Sequence, residues 1–212
     1  MSIFDLLLIL LVLASAGAFL VTLIVLAMRR WVTAGKLLAG VAAIWIVYLG
    51  VGTAVAVFTP QRTIPIGEDR CFDEMCFAVT GFHRSPAIQT GEVVTRACGE
   101  FLIVSVRVSN RSHRRAQREA GRMAVIVDEA GHRYQVDPRG MRALSDGQGP
   151  LPGLDATVDA GESVEAKLVF DLPLNAPHPA FVLGSNLAVN PASIVIADDA
   201  HFLHKPSIIP LD

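Results

Sequence analysis

Residues 6–28 read LLLILLVLASAGAFLVTLIVLAM, and residues 37–58 read LLAGVAAIWIVYLGVGTAVAVF. Neither stretch contains a charged side chain, although 18% of the 212 residues are charged. At about 1.5 Å of rise per residue, a helix of either length crosses the roughly 30 Å hydrocarbon core of a bilayer. Because a backbone in hydrocarbon has to satisfy its own hydrogen bonds, the two stretches predict transmembrane helices at about 6–28 and 37–58.

Two other interpretations of these stretches fit the sequence less well. A cleaved signal peptide starts with basic residues and has an apolar segment of about 7–15 residues. This chain starts MSIFD, and its first apolar stretch is longer than that. Core helices of a soluble protein that were apolar on every face would need to be covered on every face. We therefore expect a membrane-embedded helical hairpin in residues 1–58.

The charge of the short connecting segment predicts the orientation of the hairpin. Residues 29–36 contain Arg29, Arg30 and Lys36 and no acid. Short segments rich in Lys and Arg beside a membrane helix stay in the cytoplasm, so both termini and everything after residue 58 are expected outside it. The cysteines agree with an oxidising compartment, since all three follow the helices: Cys71, Cys76 and Cys98.

The remainder of the chain has the alternating pattern of antiparallel strands. In Phe101–Ser109 and Ser163–Asp171, apolar and polar residues alternate with period two. After a Pro-containing linker at 59–70, the many short strands predict an extracytoplasmic β-sandwich of 7–8 strands at 71–200, followed by a tail at 201–212. One helical turn at 138–144 and a loop at 145–154 interrupt the strands. The other expected strands are Met75–Phe82, Glu92–Arg96, Arg122–Asp128, His132–Val136, Phe181–Leu187 and Ser193–Ile196.

Three segments of this region carry a family resemblance. They read GEFLIVSVRVSN (99–110), VDEAGHRY (127–134) and AGESVEAKLVFDLP (160–173). Their order resembles a bacterial immunoglobulin-like family of unknown function, found on secreted lipoproteins and membrane-anchored proteins, over about residues 75–190. The resemblance implies an immunoglobulin-like sandwich outside the cytoplasm. It implies no catalytic residue, and the helical hairpin stands where the lipoproteins have a lipidated cysteine.

The cysteines leave more than one pairing open. A disulfide between Cys71 and Cys76 would attach the linker to the first strand, while Cys98 with either partner, or three free thiols, are the alternatives. Four residues separate Cys71 from Cys76, unlike the two-residue spacing of thioredoxin-like sites and most zinc knuckles. Met75 beside them makes a soft-metal site an alternative use of these sulfur atoms.

A cluster of arginines is the other feature that can bind a partner. We call residues 111–122 the arginine loop; five of its twelve residues are arginine, and Glu119 is its one acid. From Met123 onward acids outnumber Lys and Arg. This asymmetry predicts contact with an anionic partner, either lipid headgroups or an acidic protein, and the alternative is a solvated loop. The arginines are Arg111, Arg114, Arg115, Arg118 and Arg122.

These observations favour a binding function over catalysis. No nucleophile motif, phosphate-binding glycine loop or paired-carboxylate motif occurs, so we expect no enzyme, no cofactor and no metal site. No ionisable group lies within either apolar stretch, which argues against ion conduction. We expect an interaction or assembly module of the bacterial envelope with a protein partner and no nucleic acid. The alternatives are a metal or redox accessory domain using Cys71 and Cys76, or a small subunit of a membrane complex.

Overall fold

The structure is a computed structural model that describes residues 3–185 and 206–212. The described residues fall into two compact units, one containing 3–61 and the other 62–185 with 206–212. We call the first unit the helical hairpin and the second the β-domain. The expected strand at 193–196 and the last residues of the expected strand at 181–187 lie outside the described residues.

The helical hairpin consists of α1 (Ile3–Ala27) and α2 (Trp31–Phe58). Both are long and apolar enough to cross a membrane. The connection is shorter than the predicted segment 29–36, because α2 begins at Trp31 and already contains Lys36. The helix begins before the apolar stretch at 37–58, because the long side chain of Lys36 can extend its charged end toward water while the backbone stays helical.

The two helices pack along one narrow seam. Its polar contact is a hydrogen bond of 3.0 Å from Trp45 Nε1 to Ser15 Oγ, and Thr22 turns its hydroxyl back to the carbonyl of Ala18. The buried and partly buried residues of the two helices mostly recur every three or four positions, which is the spacing of one helix face. They are Leu8, Leu11, Ser15, Ala18, Thr22, Val25 and Leu26 of α1 and Ala34, Leu37, Val41, Trp45, Tyr48, Gly52, Thr53, Val55 and Ala56 of α2.

The β-domain consists of two antiparallel four-stranded sheets. Sheet A has the strand order β1-β2-β3-β6, and sheet B has the order β5-β4-β7-β8. The strands of sheet A are β1 (Arg70–Phe72), β2 (Met75–Thr90), β3 (Val93–Asn110) and β6 (Ser163–Leu172). Those of sheet B are β4 (Arg122–Val127), β5 (Arg133–Gln135), β7 (Ala180–Ser185) and β8 (Ile209–Pro210).

The main core lies between the sheets and makes the β-domain a sandwich. Val104 of β3 is fully buried in it, and so is Ile126 of β4 from the opposite sheet. The rings of Phe170 in β6 and Phe181 in β7 meet edge to face, with their centroids 6.4 Å apart. Apolar residues at alternate positions of β3 and β6 therefore point to the facing sheet, as the period-two pattern predicts.

A smaller core lies on the outer face of sheet A, beneath α3 (Pro138–Gln148). The side chain of Asp137 caps this helix, and Pro138 occupies its first turn, where no backbone donor is needed. The predicted single turn at 138–144 is thus a helix that also takes up part of the predicted loop. Gly140 allows the close packing, since a Cβ there would lie 2.4 Å from a methyl carbon of Val169.

The strand boundaries differ from the prediction in two further places. β2 and β3 are much longer than expected, and β3 unites the two segments 92–96 and 101–109. The predicted C-terminal tail also requires correction, because β8 pairs with β7 and Leu211 is fully buried in the main core. The sequence IIPLD is too short for an alternating pattern to be recognised, so its pairing becomes visible only in the fold.

The disulfide joins Cys71 to Cys76. These residues are direct partners across the β1–β2 hairpin, and Asp73 in the connecting turn has a positive φ of 58°. The first of the expected pairings is therefore the one found, and it holds the short edge strand β1 against β2. Cys98 is exposed and carries a free thiol.

Opening this disulfide will destabilise the β-domain by a modest amount. A loop this short gives about 2 kcal/mol on chain-entropy grounds, so Cys71→Ala should lower the free energy of unfolding by that much. Urea denaturation of the full chain, followed by the circular dichroism of its strands, measures the change. Adding reductant should destabilise the wild type and Cys98→Ala equally and leave Cys71→Ala unaffected. Equal stability of Cys71→Ala and the wild type would contradict a stabilising disulfide.

Candidate interaction surface

The arginine loop connects the end of β3 to the start of β4, and a buried amide fixes its shape. Asn110 Nδ2 donates to the carbonyls of Arg115 and Val158, both at 2.9 Å, while Asn110 Oδ1 accepts from the backbone N–H of Ser112 at 2.9 Å. The Ser112 hydroxyl donates to the same Arg115 carbonyl at 2.7 Å. Both polar side chains are almost fully buried, so the backbone at 110–115 is held at several points.

The first arginine of the loop is bound to the segment that precedes β1. Arg111 pairs with Asp69 at 2.6 Å, and Arg107 in β3 contacts the other oxygen of that carboxylate at 3.1 Å. Burial alone would raise the pKa of Asp69, but the hydrogen bonds from both arginines outweigh it and hold that pKa below its usual value. The single carboxylate of Asp69 therefore offsets one of the two positive charges at this end of the loop.

Two further arginines of the loop are also engaged within the domain. Arg118 bonds to the carboxylate and the carbonyl of Asp155, and this bond lowers the pKa of the carboxyl group. Arg122 pairs with Glu119 at 2.9 Å and lies over the ring of Phe72, with 3.6 Å from its guanidinium carbon to the ring centroid. Sequence reasoning missed Asp155, because it is 37 residues away from its partner.

Fewer arginines of the loop are consequently available to a partner than the sequence predicts. Arg114 and Arg115 are exposed and form no ion pair with any described residue, and neither does the adjacent exposed His113. The three side chains line one open cleft together with Ser112 and Glu74. The amide of Gln117 donates to the Glu74 carboxylate. We call His113, Arg114 and Arg115 the basic triplet; two permanent charges and one titratable ring stand there on a fixed turn.

The acidic residues of the family-like segments hold turns and strand ends. In the turn after β4, Asp128 Oδ1 accepts a hydrogen bond from the backbone N–H of His132 at 2.8 Å. Asp128 Oδ2 accepts from the hydroxyl of Tyr134 at 2.9 Å and lies 3.0 Å from His132 Nδ1. Burial would raise the pKa of Asp128, but these bonds lower it on balance. Gly131 completes the turn with a φ of 84°.

Asp171 likewise binds backbone N–H groups, at the place where β3 meets the end of β6. Its carboxylate accepts from the backbone N–H groups of Cys98 at 2.7 Å and Gly99 at 3.0 Å. Arg139 of α3 contacts this carboxylate at 3.1 Å and also lies 3.4 Å from the Cys98 sulfur. Burial would raise the pKa of Asp171, but the two backbone bonds and the attraction of Arg139 lower it on balance. A Cβ at Gly99 would collide with the Leu172 carbonyl at 2.1 Å.

The three sulfur atoms proposed as metal ligands from the sequence are not available to bind a metal in this structure. Cys71 and Cys76 are bonded to each other, and Met75 is 2% exposed within the main core. A bound metal would need the thiolate form of both cysteines and an accessible thioether. Among residues 3–185 and 206–212, no group of three His, Cys, Asp or Glu side chains is arranged to hold a metal ion.

A protein-family model and several solved structures are similar to this chain. The model of DUF4352, described as a domain of unknown function, matches residues 64–188, and the sequence matches none of the curated proteins. A conserved hypothetical protein of Bacillus anthracis has 13% identity and a TM-score of 0.46, covering 59% of this chain and 91% of its own. An uncharacterized β-sandwich protein of Clostridium difficile has 12% identity and a TM-score of 0.43, covering 73% and 96%. A secreted protein of Mycobacterium tuberculosis has 15% identity and a TM-score of 0.39, covering 61% and 93%.

The lowered pKa values predict how stability depends on pH. Above about pH 5 these carboxyl groups are ionised in the folded and the unfolded chain, so stability should be constant there. Below the unfolded value near 3.9, the unfolded chain takes up protons that the folded domain does not, and stability falls until the folded pKa values are passed. The groups are Asp69, Asp128, Asp155 and Asp171.

The variant Asp171→Asn tests this account in thermal unfolding between pH 3 and pH 7. It should lose about 2 kcal/mol near neutral pH, because two backbone N–H groups and Arg139 lose a charged acceptor, and the difference from wild type should shrink at pH 3. Asp146→Asn is the matched control, since Asp146 is exposed on α3. A constant difference between Asp171→Asn and wild type across this range would contradict the assigned role of the carboxylate.

Proposed function

We propose that this chain, which belongs to DUF4352, a family of domains of unknown function, is a membrane-anchored interaction module of a bacterial envelope. The hairpin holds the β-domain on the extracytoplasmic side, and the basic triplet binds an acidic surface of a protein partner. The observation that carries this proposal is the basic triplet itself, which keeps its charges unpaired among the described residues while neighbouring arginines are neutralised.

The packing of the hairpin supports a retained membrane anchor. Outside the seam the large side chains are apolar and exposed, as for Leu20 at 62% and Ile46 at 71%, which suits lipid as the surrounding solvent. Removal of α1 as a signal sequence would leave Trp45 Nε1 without its Ser15 partner. The seam therefore supports a function for α1 beyond targeting.

Charge and redox chemistry support the orientation. Arg29 and Arg30 lie in the turn between the helices, and Lys36 lies in the second turn of α2, which favours a cytoplasmic position for this end. The disulfide is of a kind that persists outside the cytosol. Both features support a β-domain outside the cytoplasm, where proteins and lipids of the envelope are its available partners.

We further propose that the sandwich is a variant of the immunoglobulin-like fold. The two antiparallel sheets, their shared core and the inter-sheet ring pair of Phe170 and Phe181 support this assignment. A binding role also suits the chemistry of the domain better than catalysis. The carboxylates of Asp128 and Asp171 accept hydrogen bonds from backbone donors, and their lowered pKa values make them weak bases.

In-cell photo-crosslinking tests the proposed surface. A benzophenone amino acid at Arg114 or Arg115 should give one discrete protein adduct, whereas the same probe at exposed Arg142 on α3 should give none. Reversing both charges with Arg114→Glu and Arg115→Glu should weaken the association about tenfold or more, because like charges then meet across the interface. Equal adducts from the arginine loop and from Arg142 would refute the proposal.

The same method identifies the competing function, a small subunit of a membrane complex. Probes at Ile24 and Ile46 report on the outward faces of α1 and α2, where both side chains are more than half exposed. Adducts from these positions, with none from the basic triplet, would assign partner binding to the hairpin. Adducts confined to the basic triplet support the module.

A further inference from the structure

Strands β2 and β3 continue beyond the rest of sheet A as a two-stranded ribbon, which we call the hairpin arm (residues 87–97). In the arm, residues 93–96 of β3 pair with residues 87–90 of β2. The pairing of β3 with β6 covers only residues 100–109. One edge of the β3 segment in the arm therefore has no neighbouring strand among the described residues.

The hydrogen-bond pattern of the hairpin shows which backbone groups this edge presents. Thr90 and Val93 are partners across the two-residue turn at 91–92, and Gly91 there has a positive φ of 57°. The closing pair of such a hairpin bonds inward, so Val94 and Arg96 direct their N–H and C=O groups outward. Cys98 follows the same alternation, and its outward N–H is bonded to Asp171.

The open edge of the arm carries exposed apolar side chains. Val93 is 65% exposed and Val94 is 48% exposed, although both are apolar and belong to a strand. Bulges, prolines or a covering loop usually keep such an edge from pairing with another strand. Two charged residues lie two positions to either side of Val94: Glu92 in the turn and Arg96 in β3. Both are exposed and form no ion pair within the described parts of the chain.

The order of these residues makes the edge complementary to itself. In an antiparallel pair centred on Val94, that residue faces Val94 of a second copy, and Glu92 of each chain faces Arg96 of the other. Opposite charges directly across two strands are stabilising, and the arrangement has the two-fold symmetry of most homodimers. We propose that the hairpin arm binds the hairpin arm of a second copy of this chain, joining the two ribbons into one continuous sheet.

The membrane anchor gives this small contact its strength, so the inference rests on that part of the proposed function. A few residues of paired edge bury far less than the roughly 1,200 Å² of a stable interface. Two chains in one bilayer have their arms confined to a thin layer beside the membrane. Confinement raises the effective concentration of one arm around another, as a linker does between two binding modules.

Disulfide trapping in vesicles tests the pairing with the full chain. The protein is reconstituted in phosphatidylcholine vesicles as Val94→Cys in a Cys98→Ser background, and diamide accepts the two electrons and two protons released when two thiols join. A hydrogen-bonded antiparallel pair has Cα atoms about 5.5 Å apart, which suits a disulfide. We expect a cross-linked dimer from Val94→Cys and little from Ala130→Cys, an exposed position in the turn after β4.

Charge reversals then test the register. In the Val94→Cys background, Arg96→Glu or Glu92→Arg alone should reduce the dimer at least about fivefold, because each places like charges opposite one another. A mixture of these two variants should form the mixed dimer at the level of the parent, and so should the double reversal in one chain. Arg142→Glu, an exposed reversal outside the arm, should have no effect.

The outcomes separate the pairing from the anchor on which it rests. Flotation of the vesicles shows whether the chain is membrane-inserted. A chain that floats but gives no dimer, or gives a dimer insensitive to both reversals, refutes the pairing and leaves the proposed function standing. A chain that does not float contradicts the anchor of the proposed function, and with it the confinement that the pairing requires.

Discussion

The backbone N–H and C=O groups of this chain need hydrogen-bond partners wherever water is absent, and the described parts of the molecule meet that need in three ways. The two apolar helices satisfy it internally, which is the solution that a bilayer allows to a single segment. The sandwich satisfies it through the ladders of two antiparallel sheets. At the two ends of the β3–β6 pairing, where the ladder stops, polar side chains bind the backbone groups instead. Asn110 donates to a backbone carbonyl at one end, and Asp171 accepts from a backbone N–H at the other.

This requirement also explains why polar residues in the segments that resemble the family, such as Asn110 and Asp128, stabilise the fold. Asn110 bonds two carbonyls and one backbone N–H, and Asp128 closes the turn after β4 with three bonds. A buried carboxylate engaged by several donors is stable in place and poorly suited to move protons. We propose that partners bind instead to surfaces whose polar or charged groups have no partner among the described residues. These are the basic triplet, with unpaired charges, and the hairpin arm, with unpaired backbone groups among the described residues.

Continuous and alternating apolar patterns predict the helices and the strands at 101–109 and 163–171, because each pattern follows directly from which side chains are buried. The long extent of β2 is not predictable in this way. The pairing of β2 with β3 shifts register between Val79 and Gly81 and again around Pro86, and each shift breaks the alternation on which a prediction depends. The arginine cluster is visible in the sequence, but its neutralisation by Asp69 and Asp155 depends on tertiary proximity.

We propose that a membrane hairpin holds an oxidised β-domain outside the cytoplasm. Labelling of Cys71, Cys76 and Cys98 with a membrane-impermeant maleimide in intact cells, mapped by mass spectrometry, tests it most directly. Cys98, which is exposed and free, should be labelled from outside at once, while Cys71 and Cys76 should be labelled only after reduction. Labelling of all three without reduction, and only after the cells are lysed, would place the domain in the cytoplasm and refute this topology.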